Sequence, residues 1–138
     1  WDYIAGAEAR ALYRMLFDRV RKNGRPRTVP FRCDGPDRHR FMELRVSQLD
    51  SAVLAVRSTL LREEQREPMP FLTAGVPRTD EFLSACAWCM KLDVEGVWLE
   101  VEDAVERLDL FGQAALPQLS HGICSACAAA FADATELL

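Results

Sequence analysis

Hydrophobic residues recur every three or four positions between Ala7 and Lys22, which predicts an amphipathic helix. Asn23-Gly24 favours a left-handed helix end, and Pro26 prevents the helix from continuing. The chain should therefore begin with one helix whose apolar face consists of Ala9, Leu12, Tyr13, Leu16 and Val20.

After this helix the hydrophobic period shortens to two, which predicts three antiparallel strands over residues 27–33, 40–46 and 52–61. Turn residues separate the strands at 34–37 and 48–51. The third strand is the most apolar, so we expect it at the centre of the sheet. Residues 64–78 are charged and then rich in proline, which indicates a linker.

The second half of the chain contains hydrophobic patterns typical of helices as well as patterns typical of strands. Thr79 or Asp80 is typical of a helix start, which predicts a short helical turn leading into Cys86. A hairpin follows around Glu95-Gly96, then an amphipathic helix over 100–109, a loop over 111–119 and a final helix after Cys127. The predicted fold class is α+β.

Two Cys-x2-Cys pairs, separated by 34 residues, carry the clearest chemical signal in the chain. They are Cys86 with Cys89 and Cys124 with Cys127. A two-residue spacing lets one turn aim both thiolates at a point about 2.3 Å away, the length of a zinc–sulfur bond. The pairs predict a four-cysteine zinc site. An iron–sulfur cluster, a pair of redox disulfides or simply buried cysteines would use the same residues.

Three further residues carry imidazole or thiol groups. His121 is three residues before Cys124, so it could replace one cysteine as ligand, but we expect it to donate a hydrogen bond beside the metal. Cys33 is the odd thiol, expected to be an ordinary strand cysteine, and His39 is expected on the solvated surface.

Basic and acidic residues are distributed unevenly along the chain. Residues 1–79 hold 15 Lys and Arg against 10 Asp and Glu, whereas residues 80–138 hold 2 against 11. Nucleic-acid binding needs clustered positive charge and a reader motif, so we do not expect it. We expect the basic half to be solvated or to dock the acidic half.

No apolar run approaches the roughly 20 residues of a membrane span, and no signal pattern begins the chain. Without one, paired cysteines favour a metal site in the cytoplasm. A closed four-cysteine site leaves no position for substrate, and no catalytic motif occurs, so we expect a protein that is not an enzyme.

A long helix followed by a three-stranded meander resembles the second half of a PAS domain. Gly24-Arg25-Pro26, the run 31–34 (Phe-Arg-Cys-Asp) and the run 40–43 (Arg-Phe-Met-Glu) resemble a bacterial PAS-like family of small sensory proteins. The resemblance implies a PAS-like half over residues 1–63 with a small-molecule pocket between helix and strands, lined by residues such as Leu16, Met42 and Val56.

The two strands that open a PAS fold do not precede Trp1. If they are missing, the Val53–Leu61 strand is left with an open edge, which favours a protein partner or self-association.

The cysteine pairs also carry a resemblance. A Cys86–Cys89 knuckle, a hairpin and a helix with the last two cysteines in its first turn resemble a treble-clef zinc fold, and residues 120–127 resemble a cysteine-rich module of bacterial sensory and response-regulator proteins. The resemblance implies a zinc module over residues 79–138 and a sensory or regulatory function. A redox or iron–sulfur sensor is the alternative, and a thiol oxidoreductase is a third hypothesis that requires one exposed pair of low pKa.

Overall fold

The computed structural model describes residues 6–136, with side chains up to residue 133. Its first helix, α1, spans Ala7–Asn23 and ends at Gly24, which adopts a left-handed φ of 64°. The Gly24 N–H donates to the Val20 carbonyl at 2.8 Å, satisfying one of the free carbonyls at the helix end. The predicted helix and its end are confirmed.

The next three elements form an antiparallel meander of β1 (Arg27–Arg32), β2 (Arg38–Gln48) and β3 (Leu54–Gln65), in the order β1-β2-β3. The prediction that the third strand is central is wrong, because β2 lies between the other two. Val46 of β2 and Val56 of β3 are paired across the sheet, yet Val46 is 0% exposed and Val56 is 51% exposed. Val56, Leu60 and Leu61 therefore lie exposed on an edge strand that the described part of the chain leaves unpaired.

The segment predicted as a linker, residues 64–78, is packed against the rest of the protein. β3 continues into it as far as Gln65, and a short 3₁₀ helix spans Pro70–Leu72. Met69 and Phe71 are buried in the core of the second sheet. The isolated apolar residues of this segment thus anchor it.

The second sheet contains β4 (Arg78–Cys86), β5 (Leu92–Val94), β6 (Val97–Leu99) and β7 (Leu116–Gly122), in the order β6-β5-β4-β7. The hairpin of β5 and β6 is confirmed. The helical turn expected before Cys86 is wrong, because those residues form β4. Part of the loop expected over 111–119 is also a strand, since β7 pairs with β4 in parallel.

Two further helices complete the fold: α2 (Val101–Arg107) and α3 (Ser125–Glu136). One core lies between α2 and the second sheet. The other joins α1 and the meander to the cysteine region, and its fully buried members come from both halves of the chain: Leu16, Val20, Val46 and Cys86. The α+β fold class is confirmed, and the PAS-like and treble-clef resemblances stay predictions.

No helix among the described residues is long and apolar enough to cross a membrane.

Candidate metal centre

The sulfur atoms of Cys86, Cys89, Cys124 and Cys127 all lie within 4.8 Å of one another. The Cys89 and Cys124 sulfurs are 3.8 Å apart. Four sulfurs each about 2.3 Å from a central zinc form a tetrahedron with edges of about 3.8 Å. The four cysteines are free thiols in this structure, and their spacing fits a tetrahedral metal site.

The parallel pairing of β4 and β7 brings the two cysteine pairs together. Cys86, the last residue of β4, lies opposite Gly122, the last residue of β7. Because parallel strands end at the same edge of a sheet, the turn after β4 and the start of α3 meet there. This long-range pairing assembles the site from residues 38 positions apart.

The first pair is held in a tight turn at the end of β4. The Met90 N–H donates to the Cys86 carbonyl at 3.0 Å, and the Cys86 N–H donates to the Lys91 carbonyl at 2.8 Å. Met90 has a φ of 66°, in the left-handed region, which reverses the chain. The turn aims the Cys86 and Cys89 sulfurs at the same point.

The second pair is held by the first turn of α3. The Ala128 N–H donates to the Cys124 carbonyl at 3.0 Å, so helical bonding begins at Cys124. Two backbone N–H groups point at sulfur: that of Cys124 at the Cys86 sulfur and that of Cys127 at the Cys124 sulfur, each at 3.4 Å. Such N–H donors stabilise negative charge on a thiolate.

Crowding of the thiols shifts their pKa values in opposite directions. A hydrogen bond from the Cys89 thiol lowers the pKa of Cys86 to about 4, although burial opposes this. The same hydrogen bond raises the pKa of Cys89. Burial, assisted by a hydrogen bond with Cys124, raises the pKa of Cys127 to about 12. A bound cation would displace the protons that the thiols carry.

The four cysteines differ in exposure. Cys86 and Cys124 are 0% and 2% exposed, whereas Cys89 and Cys127 are half-buried. Cys33 is exposed and outside the cluster. His121 is exposed on β7, and the group of potential ligands found among the described residues does not include it.

Beside the site lies an apolar cavity of about 440 Å³ between the meander, the first cysteine turn and α3. Met42, predicted to line a pocket, lies on its wall. The other two predicted pocket residues do not: Leu16 is buried in the core, and Val56 is exposed on β3. The cavity wall also contains Phe31, Phe41, Trp88, Cys89, Cys127 and Phe131.

A second, polar cluster surrounds Asp34, whose side chain is fully buried. It accepts hydrogen bonds from Arg32 and lies 2.8 Å from His39 Nδ1, and Arg66 approaches it at 3.4 Å. Burial alone would raise the pKa of Asp34, but the hydrogen bonds from Arg32 and His39 outweigh it, and the pKa is lowered from 3.8.

The cluster around Asp34 also connects the two halves of the chain. Arg66 pairs with Glu102 at 2.7 Å, and Arg32 pairs with Glu100 at 3.0 Å. These ion pairs agree with the expected docking of the basic half on the acidic half. The expectation of a solvated His39 is wrong, since its side chain is 18% exposed and lies beside Asp34 and Glu102.

No family model, curated protein or solved structure matches this chain.

Proposed function

We propose that this chain is a sensory or regulatory module without catalytic activity, in which zinc bound by Cys86, Cys89, Cys124 and Cys127 stabilises the fold. The convergence of the four sulfurs supports the metal. Zinc suits four thiolates in a closed tetrahedron, and such a site has no open position for substrate. The metal would link the end of β4 to the start of α3 and stabilise both.

The observation that carries a regulatory function is the shared core. Trp88, inside the first cysteine turn, has its ring 5.3 Å from that of Tyr13 on α1 and 4.9 Å from that of Phe131 on α3. A change at the metal centre or the adjoining cavity would therefore be transmitted to α1 and the meander through direct packing.

Hydrogen exchange of the zinc-loaded and chelated protein tests this proposal. Removal of zinc should speed exchange in α1 and in β1 and β2, as well as in the cysteine turns, because these elements share one core. Faster exchange confined to residues 86–91 and 122–136 would contradict a regulatory link to the meander.

A redox or iron–sulfur sensor built on the same cysteines is the second candidate. It is favoured by one observation, the half-buried positions of Cys89 and Cys127 on the cavity wall. An iron–sulfur cluster absorbs visible light, whereas zinc bound to thiolates is colourless. An absorption spectrum of protein purified under anaerobic conditions distinguishes the two.

We also propose that β3 pairs with a second copy of the chain. Val56 and Leu60 lie two residues on either side of Ser58 and are about half exposed. Antiparallel pairing of two β3 strands around Ser58 would place Val56 of each copy opposite Leu60 of the other. This pairing would cover apolar residues that otherwise lie at an open edge.

We also propose a cytoplasmic setting, because the cytoplasm keeps cysteine thiols reduced and able to bind metal.

A further inference from the structure

The chemistry of the cavity wall restricts what the cavity can bind. Its surface is formed largely by aromatic and aliphatic side chains, including Phe31, Met42 and Phe131. A volume of about 440 Å³ falls in the range of small-molecule sites, which extends from about 300 to 1,000 Å³. A ligand here would gain binding energy from apolar contact.

The polar groups on the wall already have partners. The Trp88 Nε1 donates to the Pro30 carbonyl. The Arg32 guanidinium is bound by Asp34 and by Glu100. A charged ligand would therefore lose its hydration and find no free counter-charge, at a cost that an uncharged ligand avoids.

Two metal ligands form part of the same wall. Cys89 and Cys127 are the half-buried members of the four-cysteine site, and both contact the cavity. A molecule that fills the cavity would cover these two sulfurs and separate them from solvent. A chelator needs access to the site to remove the metal, so occupancy should protect it.

From these observations we infer that the cavity binds an uncharged, largely apolar small molecule, and that ligand binding and metal retention reinforce each other. The inference rests on the proposed function because it requires the metal-loaded fold. Linkage makes the effect reciprocal: a ligand that prefers the zinc-loaded protein raises the affinity for zinc by the same factor.

The test uses the zinc-loaded full chain and Nile red, an uncharged apolar dye. The dye should bind saturably at one site per chain. It should also slow zinc transfer to the chelator 4-(2-pyridylazo)resorcinol at least threefold.

Ala130→Leu, which adds three carbons at the cavity wall, should weaken dye binding at least tenfold and abolish the protection of zinc. Ala129→Leu is the matched control, because Ala129 is an exposed neighbour on α3 that does not line the cavity.

A second variant tests the same cavity in case Ala130→Leu does not fold. Leu61 lies at the cavity wall but is 59% exposed, so Leu61→Asp places a charge there without burying it in the core. It should also weaken dye binding, while Thr28→Asp, at an exposed position of β1 outside both the lining and the proposed β3 pairing, should not.

Zinc content, measured on every variant, separates the two proposals. One zinc per chain without saturable dye binding would overturn the cavity inference and leave the zinc centre intact. Equal dye binding by Ala130→Leu and Ala129→Leu would overturn it as well. Exclusion of the dye by a dimer, detected by size-exclusion chromatography, would assign the cavity to a second copy and overturn it too. Absence of zinc would instead contradict the proposed function.

Discussion

The backbone N–H of Arg32 donates a 2.8 Å hydrogen bond to the carbonyl oxygen of Trp88. The Trp88 indole in turn donates to the carbonyl of Pro30, two residues earlier on β1. The first cysteine turn therefore covers the edge of β1 that does not face β2. Pro30 fits this edge of β1, since proline offers a carbonyl but no N–H.

Trp88→Phe should lower the free energy of unfolding by about 1 to 2 kcal/mol, because the Pro30 carbonyl loses its buried donor. Trp88→Ala should cost about 3 to 5 kcal/mol through the cavity it leaves beside Tyr13 and Phe131. Trp98→Phe is the control, since Trp98 is only partly buried and its indole nitrogen has no hydrogen-bond partner among the described residues. Denaturant unfolding of the zinc-loaded proteins measures all three.

Asp34→Asn should destabilise the protein by about 3 kcal/mol at pH 7, because Arg32 and Arg66 lose a buried anion. Asp37→Asn removes an exposed carboxylate that pairs with Arg38 and serves as the control. Urea unfolding at neutral pH compares the two variants, and an equal effect of both would contradict a special role for the Asp34 cluster.

The free energy of unfolding of Asp34→Asn should also differ from that of the natural sequence in its pH dependence, in a defined direction. The pKa of Asp34 is lowered in the folded protein, so its contribution to stability is fully present above the ordinary value of 3.8 and is lost as the pH falls through the lower folded value. Asp34→Asn should remove this part of the acid destabilisation. The measurement compares unfolding free energies at pH 3 and pH 6, with zinc content monitored at each.

Gly6→Ala should be more destabilising than Gly75→Ala. Both glycines have a positive φ, of 83° and 82°. A Cβ at Gly6 would lie 2.5 Å from the His121 carbonyl oxygen, whereas a Cβ at Gly75 meets no atom within 4 Å. A positive φ strains any L side chain, so each substitution should cost at least about 1 to 2 kcal/mol, and thermal unfolding should show the larger loss for Gly6→Ala because of its close contact.

Leu60→Lys should abolish self-association through β3, because it places a charge opposite Val56 of the second copy. Arg57→Lys keeps the charge of a neighbouring exposed residue on the same strand and is the control. Sedimentation velocity should give a dimer for the natural sequence and the control, and a monomer for Leu60→Lys. A monomer for the natural sequence at high micromolar concentration would contradict the pairing.

Local patterns predicted the elements whose causes are local. The helical period of α1, the Glu95-Gly96 turn between β5 and β6 and the spacing of the cysteines each act over a few residues. The cysteine cluster was therefore predictable as a set of four. The packing of this cluster into one core with Leu16 and Val46 could not be predicted, because it depends on how distant elements pack.

The errors share a physical origin in long-range contacts. Residues 79–81 are typical of a helix start, but the flanking Arg78 and Phe82 pair with β7 more than 30 residues later, which places the segment in a strand. The apolar composition of β3 indicates burial, yet that strand lies at an edge. The composition around Asp34 predicts only a turn. The ion-pair cluster at Asp34 could not be predicted, because its other members Arg66 and Glu102 lie far away in the sequence.

Elemental analysis of protein purified without added metal tests for the four-cysteine zinc site, with Cys124→Ser and Cys33→Ser analysed alongside. Cys33 is exposed and outside the cluster, so it is the matched control. We predict one zinc per chain in the natural sequence and in Cys33→Ser. Cys124→Ser should lose the zinc and several kcal/mol of stability. Metal-free protein, or full zinc retention by Cys124→Ser, would contradict the four-cysteine zinc site.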